Sequence, residues 1–176
     1  MSFKRILAAL DQSPLQTAVL NQAIDLAHHG GAALRLVHAA DMPTAVAGTS
    51  PDTIPPANGM AMYPAVGVSP NPAVMRGVTL GQQNWNTTVE RVDRWLQGLQ
   101  EEAIARGVET SYEFRNGQPG DQICQLAAEW RADLIVVGRR GRSGLSEVFL
   151  GSVSNYVVHH APCAVLTLQD DQRVEA

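Results

Sequence analysis

The chain has 176 residues, 45% of them hydrophobic and 17% charged, which is the composition of a globular domain rather than of a disordered segment. Its net charge of −4 argues against the basic face on which nonspecific nucleic-acid binding depends. No apolar run reaches the ~20 residues of a membrane span, and the first residues contain no signal-peptide core. Cys124 and Cys163 lack metal-ligand spacing and are interpreted as core thiols. We therefore expect a cytoplasmic protein that binds neither nucleic acid nor membranes.

Apolar runs that are typical of buried strands alternate with helical patterns along the chain. The predicted strands are residues 6–10, 34–40, 109–115, 134–137 and 164–168. The predicted helices are residues 14–29, 83–106, 119–130 and 152–160. The first helix has Ser13 as its expected N-cap and Pro14 at its first position, and Gly30 and Gly31 end it.

This alternation predicts βαβ units with right-handed crossovers, and hence a parallel sheet. We expect an α/β fold: a single doubly wound domain over residues 1–176, with a five-stranded parallel sheet in the order 3-2-1-4-5 and helices on both faces. In such a sheet the ligand site lies outside the carboxyl ends of the strands, where the strand order reverses. Those ends are Asp11, residues 39–41 and Gly138.

The segment from Asp41 to Gly81 departs from this pattern. It holds seven of the ten prolines and four of the five methionines but only three charged residues, and it has no strand or helix period. A connection this long in a compact domain is usually a lid, a binding segment or disorder. We expect it to be a mobile insert that is available to a protein client.

A glycine-rich loop follows the fourth predicted strand. It reads Gly138-Arg139-Arg140-Gly141-Arg142, and after nine residues beyond Gly141 the pair Gly151-Ser152 opens the next helix. Glycines let backbone amides approach an anion closely, and a helix N-terminus adds further amide donors and a positive dipole end. An ordinary βα loop with solvated arginines is the alternative. The sequence has neither the G-x-x-x-x-G-K-[ST] pattern nor a G-x-G-x-x-G pattern after the first strand.

The spacing of these glycines, G-2x-G-9x-G-S, is similar to the signature of ATP-binding universal stress proteins. Three further segments resemble that family in the same order, and the resemblance covers nearly the whole chain except residues 41–81. They are Ile6-Leu7-Ala8-Ala9-Leu10-Asp11, Leu34-Arg35-Leu36-Val37-His38-Ala39 and Ala161-Pro162-Cys163-Ala164-Val165-Leu166. The resemblance implies an ATP site and a role in the stress response.

The resemblance also implies roles for single residues. Ala9, Leu10 and Asp11 would lie against adenine and ribose, with Asp11 as the polar anchor, and Ala39 would offer its backbone to adenine. The ribose side and the phosphate cradle would be formed by Val137, Gly138, Gly141, Gly151, Ser152, Val153 and Ser154. Charge and position alone add Arg139 and Arg142. The expected cofactor is ATP, with or without Mg.

Three functions remain open at this point. The leading one is a regulatory protein whose nucleotide state signals stress; the second is a slow ATPase that uses the same pocket; the third is a client-binding member without nucleotide. No catalytic base and no metal site is predicted, because adjacent histidines such as His28-His29 and His159-His160 point about 100° apart on a helix. Phosphoryl transfer by such a site would be slow at most.

The last predicted strand, residues 164–168, would lie at an edge of the sheet. It is apolar apart from Thr167 and carries no lysine or proline that would block pairing with another chain. A homodimer through this strand is therefore expected, and dimers of this kind are common in the family that the chain resembles. The alternative is that residues 169–176, with three acidic side chains, cover the edge.

Overall fold

Five parallel strands form one sheet in the order β3-β2-β1-β4-β5, as the sequence predicts. The computed structural model describes residues 2–41, 72–139 and 151–169, with side chains in the first long helix described from Asn86 onward. The elements in chain order are β1 (Arg5–Ala9), α1 (Gln16–Gly30), β2 (Ala33–Ala40), α2 (Pro72–Ala105), β3 (Thr110–Asn116), α3 (Pro119–Trp130), β4 (Leu134–Arg139), α4 (Ser152–His160) and β5 (Ala164–Gln169).

The chain divides into two compact units, one formed by Met1–Met42 with Val92–Ala176 and the other by Pro43–Arg91. The first unit contains the whole sheet, and α2 enters it at Val92. In the second unit the structure describes only the N-terminal part of α2. A single domain over residues 1–176 stays a prediction.

Helices cover both faces of the sheet. Since side chains of successive strand residues point to opposite faces, each central strand contributes to two cores. Ile6 and Ala8 of β1 pack into a core with α1 and the end of α2. Leu7 and Ala9 pack into a second core with α3 and α4. The central strands are therefore buried on both sides, which explains their continuous apolar sequence.

The start of α1 differs from the expectation. Helix α1 begins at Gln16 with Leu15 as N-cap, not at Pro14 with Ser13 as N-cap. The Asp11 carboxylate accepts the Ser13 amide at 3.2 Å, and Ser13 O accepts the Gln16 amide at 3.0 Å. The chain thus completes a turn before the helix starts. The predicted stop is confirmed, since Gly31 takes a left-handed conformation with φ of 58°.

Helix α2 begins at Pro72, eleven residues before the predicted start at 83. The expectation that residues 41–81 lack a helix is therefore wrong for 72–81. Val74 and Val78 have the i, i+4 spacing of a helix face, but Gly77 and Gly81 in the same stretch disfavour a helix by propensity. Pro72 is favourable only because it stands at the first helical position. The predicted mobility and client binding of residues 42–71 fall outside the described residues.

Helices α3 and α4 approach each other closely at a glycine. A Cβ on Gly120, in the first turn of α3, would lie 2.7–2.9 Å from Cβ, Cγ and Cδ1 of Tyr156 on α4. The Tyr156 ring in turn stacks on His160, with centroids 4.0 Å apart. The absence of a side chain at Gly120 thus sets the spacing of the two helix N-termini.

Candidate functional site

A cavity of about 370 Å³ lies at the carboxyl ends of β1, β2 and β4. That volume falls within the range of small-molecule sites. The first turns of α3 and α4 close its sides. Ten of the thirteen predicted site residues line it: Ala9, Leu10, Asp11, Ala39, Val137, Gly138, Gly151, Ser152, Val153 and Ser154. The position of the cavity at the reversal of strand order is the one that the sequence predicts.

One wall of the cavity is formed by backbone at the end of β2. The ladder between β1 and β2 closes with the Leu10 amide donating to Val37 O at 2.8 Å, whereas Ala40 O accepts the Gly117 amide at 3.1 Å on the β3 side. Peptide groups alternate between the two neighbours of a parallel strand. The N–H and C=O of Ala39 therefore point toward β1, beyond the end of that strand, and into the cavity.

Apolar side chains flank this piece of backbone. Pro119 and Ile123 of α3 line the cavity beside Ala39, and Val137 lies across from them at the end of β4. Ile123 and Val137 are buried in the core between the sheet and α3. This end of the cavity can hold a flat apolar group against a hydrogen-bonding peptide edge.

The opposite end is formed by the start of α4. Gly151 is the N-cap, and the first helical bond runs from the Asn155 amide to Gly151 O at 2.8 Å. The amides of the first turn of a helix have no carbonyl partner within the helix. Residues Gly151 to Ser154 line the cavity, so this end presents peptide donors at the positive end of the helix dipole.

The serines of this turn differ in their surroundings. Ser154 is only 1% exposed, and its hydroxyl donates to Gly151 O at 3.0 Å. In this structure it therefore stabilises the turn, and its place in the phosphate cradle stays a prediction. Ser152 is exposed, and its hydroxyl remains the one predicted to contact a phosphate group.

Of the three remaining predicted residues the structure describes only Arg139, and it does not line the cavity. Arg139 donates to the Gln169 side chain at 2.9 Å, across the β4–β5 ladder. Its guanidinium is thus held toward β5 rather than over the cavity. Gly141 and Arg142 lie outside the described residues, so their predicted contacts stay predictions.

Ala40 and Asp41, which the sequence places at the end of the second strand, also line the cavity. Six further lining residues had no predicted role at the site: Gln16, Val19, Val37, His38, Pro119 and Ile123. Among them, His38 has its Nδ1 2.8 Å from Leu10 O. Trp95 packs edge-on against the same ring, with centroids 5.2 Å apart. The position of α3 opposite the strand ends could have pointed to Pro119 and Ile123 in advance.

A second cavity, of about 560 Å³, adjoins the first and shares Pro119, Ser152 and Val153 with it. Gln118, Gly120, Asp121 and Tyr156 line it in addition. Burial raises the pKa of the Cys124 thiol on α3, and nearby Asp121 raises it further. Burial likewise raises the pKa of the Cys163 thiol. Both cysteines therefore stay protonated at neutral pH, which agrees with their interpretation as packing residues.

Neither metal ligation nor a membrane span is found in the parts of the chain that the structure describes. There, no three His, Cys, Asp or Glu side chains are grouped so that they could hold a metal ion. The helices in the same ranges are too short or too polar to cross a bilayer.

The sheet order and the cavity at its switch point define a doubly wound α/β protein with a ligand-sized site at the strand ends. Residues 2–169 match the Universal stress protein family, and the chain belongs to that family. It is 34% identical over 175 residues to Universal stress protein Sll1388 of Synechocystis, covering 96% of this chain and 99% of the relative.

Solved structures share the fold at low sequence identity. The hypothetical protein MJ0577 superposes with a TM-score of 0.70 at 17% identity, covering 98% of this chain and 99% of that protein. A universal stress protein in complex with cAMP gives a TM-score of 0.54 at 20% identity, over 96% and 98% of the chains. One from Archaeoglobus fulgidus in complex with dAMP gives 0.55 at 19% identity, over 95% and 98% of the chains.

Proposed function

We propose that this protein binds an adenine nucleotide in the cavity at the carboxyl ends of β1, β2 and β4. The observation that carries this proposal is the polarity of the cavity. One end pairs an apolar slot with the exposed peptide edge of Ala39, and the other end presents the N-terminal amides of α4. A nucleotide has the same division, with a flat base at one end and an anionic phosphate group at the other.

The base belongs at the β2 end in this proposal. The Ala39 N–H and C=O can pair with the N1 acceptor and the 6-amino donor of adenine, while Pro119 and Ile123 cover the faces of the ring. Two relatives with the same fold are described in complex with cAMP and with dAMP, both of which carry an adenine base. That shared base supports an adenine nucleotide as the ligand.

The phosphates belong at the start of α4. The amides of Ser152 and Val153 and the Ser152 hydroxyl supply donors, and the helix dipole favours negative charge there. Hydrogen bonds to charged groups contribute roughly 1.5–3 kcal/mol each, so a few of them suffice for micromolar affinity, which needs about −8 kcal/mol. By their spacing, Gly141 and Arg142 are proposed to complete the cradle.

Asp11 is proposed as the anchor for ribose. It lines the cavity just after β1, the strand that lies between β2 and β4 in the sheet. One oxygen of its carboxylate accepts the Ser13 amide at 3.2 Å, which fixes the orientation of the side chain. A carboxylate held in this way can accept hydrogen bonds from ribose hydroxyl groups.

We take ATP, with or without Mg, as the ligand, and a regulatory role in the cytoplasm as its use. The Asp11 carboxylate would bind Mg only together with phosphate oxygens and water.

Calorimetric titration tests the proposal. ATP is expected to bind one site per chain with micromolar affinity, and CTP at least tenfold more weakly, because the single ring of cytosine fills less of the apolar slot than a purine does, although it carries the same amino donor and ring-nitrogen acceptor. Equal affinity for ATP and CTP, or no heat with either, contradicts it.

A homodimer through β5 is proposed as the assembly. β5 lies at the edge of the sheet, and Val165, Leu166 and Leu168 on it are only half-buried in the isolated chain. A two-fold axis would pair it antiparallel with its own copy. Light scattering should show a dimer for the parent and a monomer for Val165→Pro or Thr167→Lys. A monomeric parent, or two folded variants that both remain dimers, would remove this interface.

A further inference from the structure

Asp41 stands at the base end of the cavity, directly after β2. It lines the cavity two residues beyond Ala39. The Gln118 side chain, just before α3, donates from Nε2 to Oδ2 of Asp41 at 3.1 Å. The Gly117 amide donates to Ala40 O at 3.1 Å and ties the same two segments together. The carboxylate is therefore held in place at the rim instead of extending freely into solvent.

The hydrogen-bonding capacity of the Asp41 carboxylate decides which ligand groups it can contact. An ionised carboxylate only accepts hydrogen bonds. Gln118 uses Oδ2, so Oδ1 is the oxygen that can accept from a ligand. In adenine, the 6-amino group has two protons, one for the Ala39 C=O and one for a second acceptor. A 6-oxopurine such as hypoxanthine or guanine presents an acceptor at that position, which a carboxylate repels.

We infer that Asp41 is a specificity-determining residue that makes the site prefer 6-aminopurine nucleotides over 6-oxopurine nucleotides. The inference rests on the proposed adenine-nucleotide function. It assigns recognition of the 6-position of the base to the Asp41 carboxylate, in addition to the peptide group of Ala39. Because Asp41 is exposed at the rim, water weakens the bond, and we expect its share of the discrimination to be about tenfold, or about 1.4 kcal/mol.

AMP and IMP form the matched ligand pair, because they differ only at the 6-position and the adjoining N1 proton. Their dissociation constants are to be measured by calorimetry with the full-length parent and with Asp41→Asn. Asparagine keeps the size of the side chain and can still bond Gln118, and its amide can donate to a 6-oxo group. The AMP preference should fall about tenfold. Asp41→Ala should lower it as well, because alanine removes both the acceptor for the 6-amino group of AMP and the repulsion of the 6-oxo group of IMP.

Asp121→Asn is the control, since it removes the same charge from the neighbouring second cavity, where Asp121 accepts from Gln125 at 2.7 Å. Its ratio of AMP to IMP affinity should stay within twofold of the parent. If the parent prefers AMP and both Asp41 variants keep that preference unchanged, the inference is overturned while the proposed function stands. If the parent binds neither nucleotide, both are overturned.

Discussion

Gly151→Val is expected to weaken ATP binding about 100-fold, equal to about 2.7 kcal/mol, without unfolding the protein. Gly151 is the N-cap of α4 and lines the cavity at its amide end. A valine side chain there would occupy the space proposed for a phosphate group. The backbone itself accepts valine, because Gly151 has φ of −57° and ψ of 155°, which is an extended conformation open to any residue.

Calorimetry on the folded variant measures the effect, and circular dichroism checks that α4 is retained. Ser152→Ala is the graded comparison, because it removes the exposed hydroxyl but keeps the amide. We expect it to lose no more than tenfold in affinity. Unchanged ATP affinity in Gly151→Val would remove the start of α4 from the site.

Gly120→Ala is expected to lower the free energy of unfolding by about 1–3 kcal/mol, the usual cost of overpacking. The added Cβ would lie 2.7 Å from Cδ1 and 2.9 Å from Cβ of Tyr156. Rotating the ring would break its stack on His160 and would still leave the contact with Tyr156 Cβ, whose position is fixed by the backbone of α4, so the two helices must separate. Because the start of α4 lies at the proposed phosphate end, nucleotide affinity should fall as well.

Gly98→Ala on α2 is the matched control for this substitution. A Cβ at Gly98 meets no atom within 4 Å, and the position is exposed. Alanine should therefore stabilise the helix by about 0.4–1 kcal/mol. Urea unfolding of both variants compares the two effects. A Gly120→Ala protein as stable as the parent would show that α3 and α4 adjust freely.

Most of the fold follows from local sequence, because strands buried on both faces must be continuously apolar. Residues 134–137 are an example, and β4 there is buried as predicted. Helices α3 and α4 match their predicted bounds, since Pro119 marks the start of α3 and Gly151 and Pro162 flank α4. The start of α2 was missed, because the prolines before Pro72 together with Gly77 and Gly81 are typical of a loop.

The parts of the candidate site that are formed by backbone at the strand ends could be predicted. The parts formed by contacts between side chains that are distant in the sequence were harder to predict. The spacing of the glycines placed Gly151 and Ser152 at the cavity. Asp41 and Gln118 are 77 positions apart in the sequence, and only the packing of α3 beside β2 brings them together. The direction of Arg139 depends on its partner Gln169 across the sheet, which charge alone does not reveal.

The most direct test of the proposed nucleotide site is a ¹H–¹⁵N correlation spectrum recorded during titration with ATP, because it reports binding and location together. The account predicts saturable shifts for the amides of Ala39, Gly138, Ser152 and Val153. Asp133, which accepts the Lys4 amide at 2.7 Å at the opposite end of the sheet, should keep its amide position. Shifts confined to that opposite end would contradict it. The absence of any shift up to about 1 mM ATP would also contradict it, because a Kd of that size corresponds to a binding free energy of only about −4.1 kcal/mol.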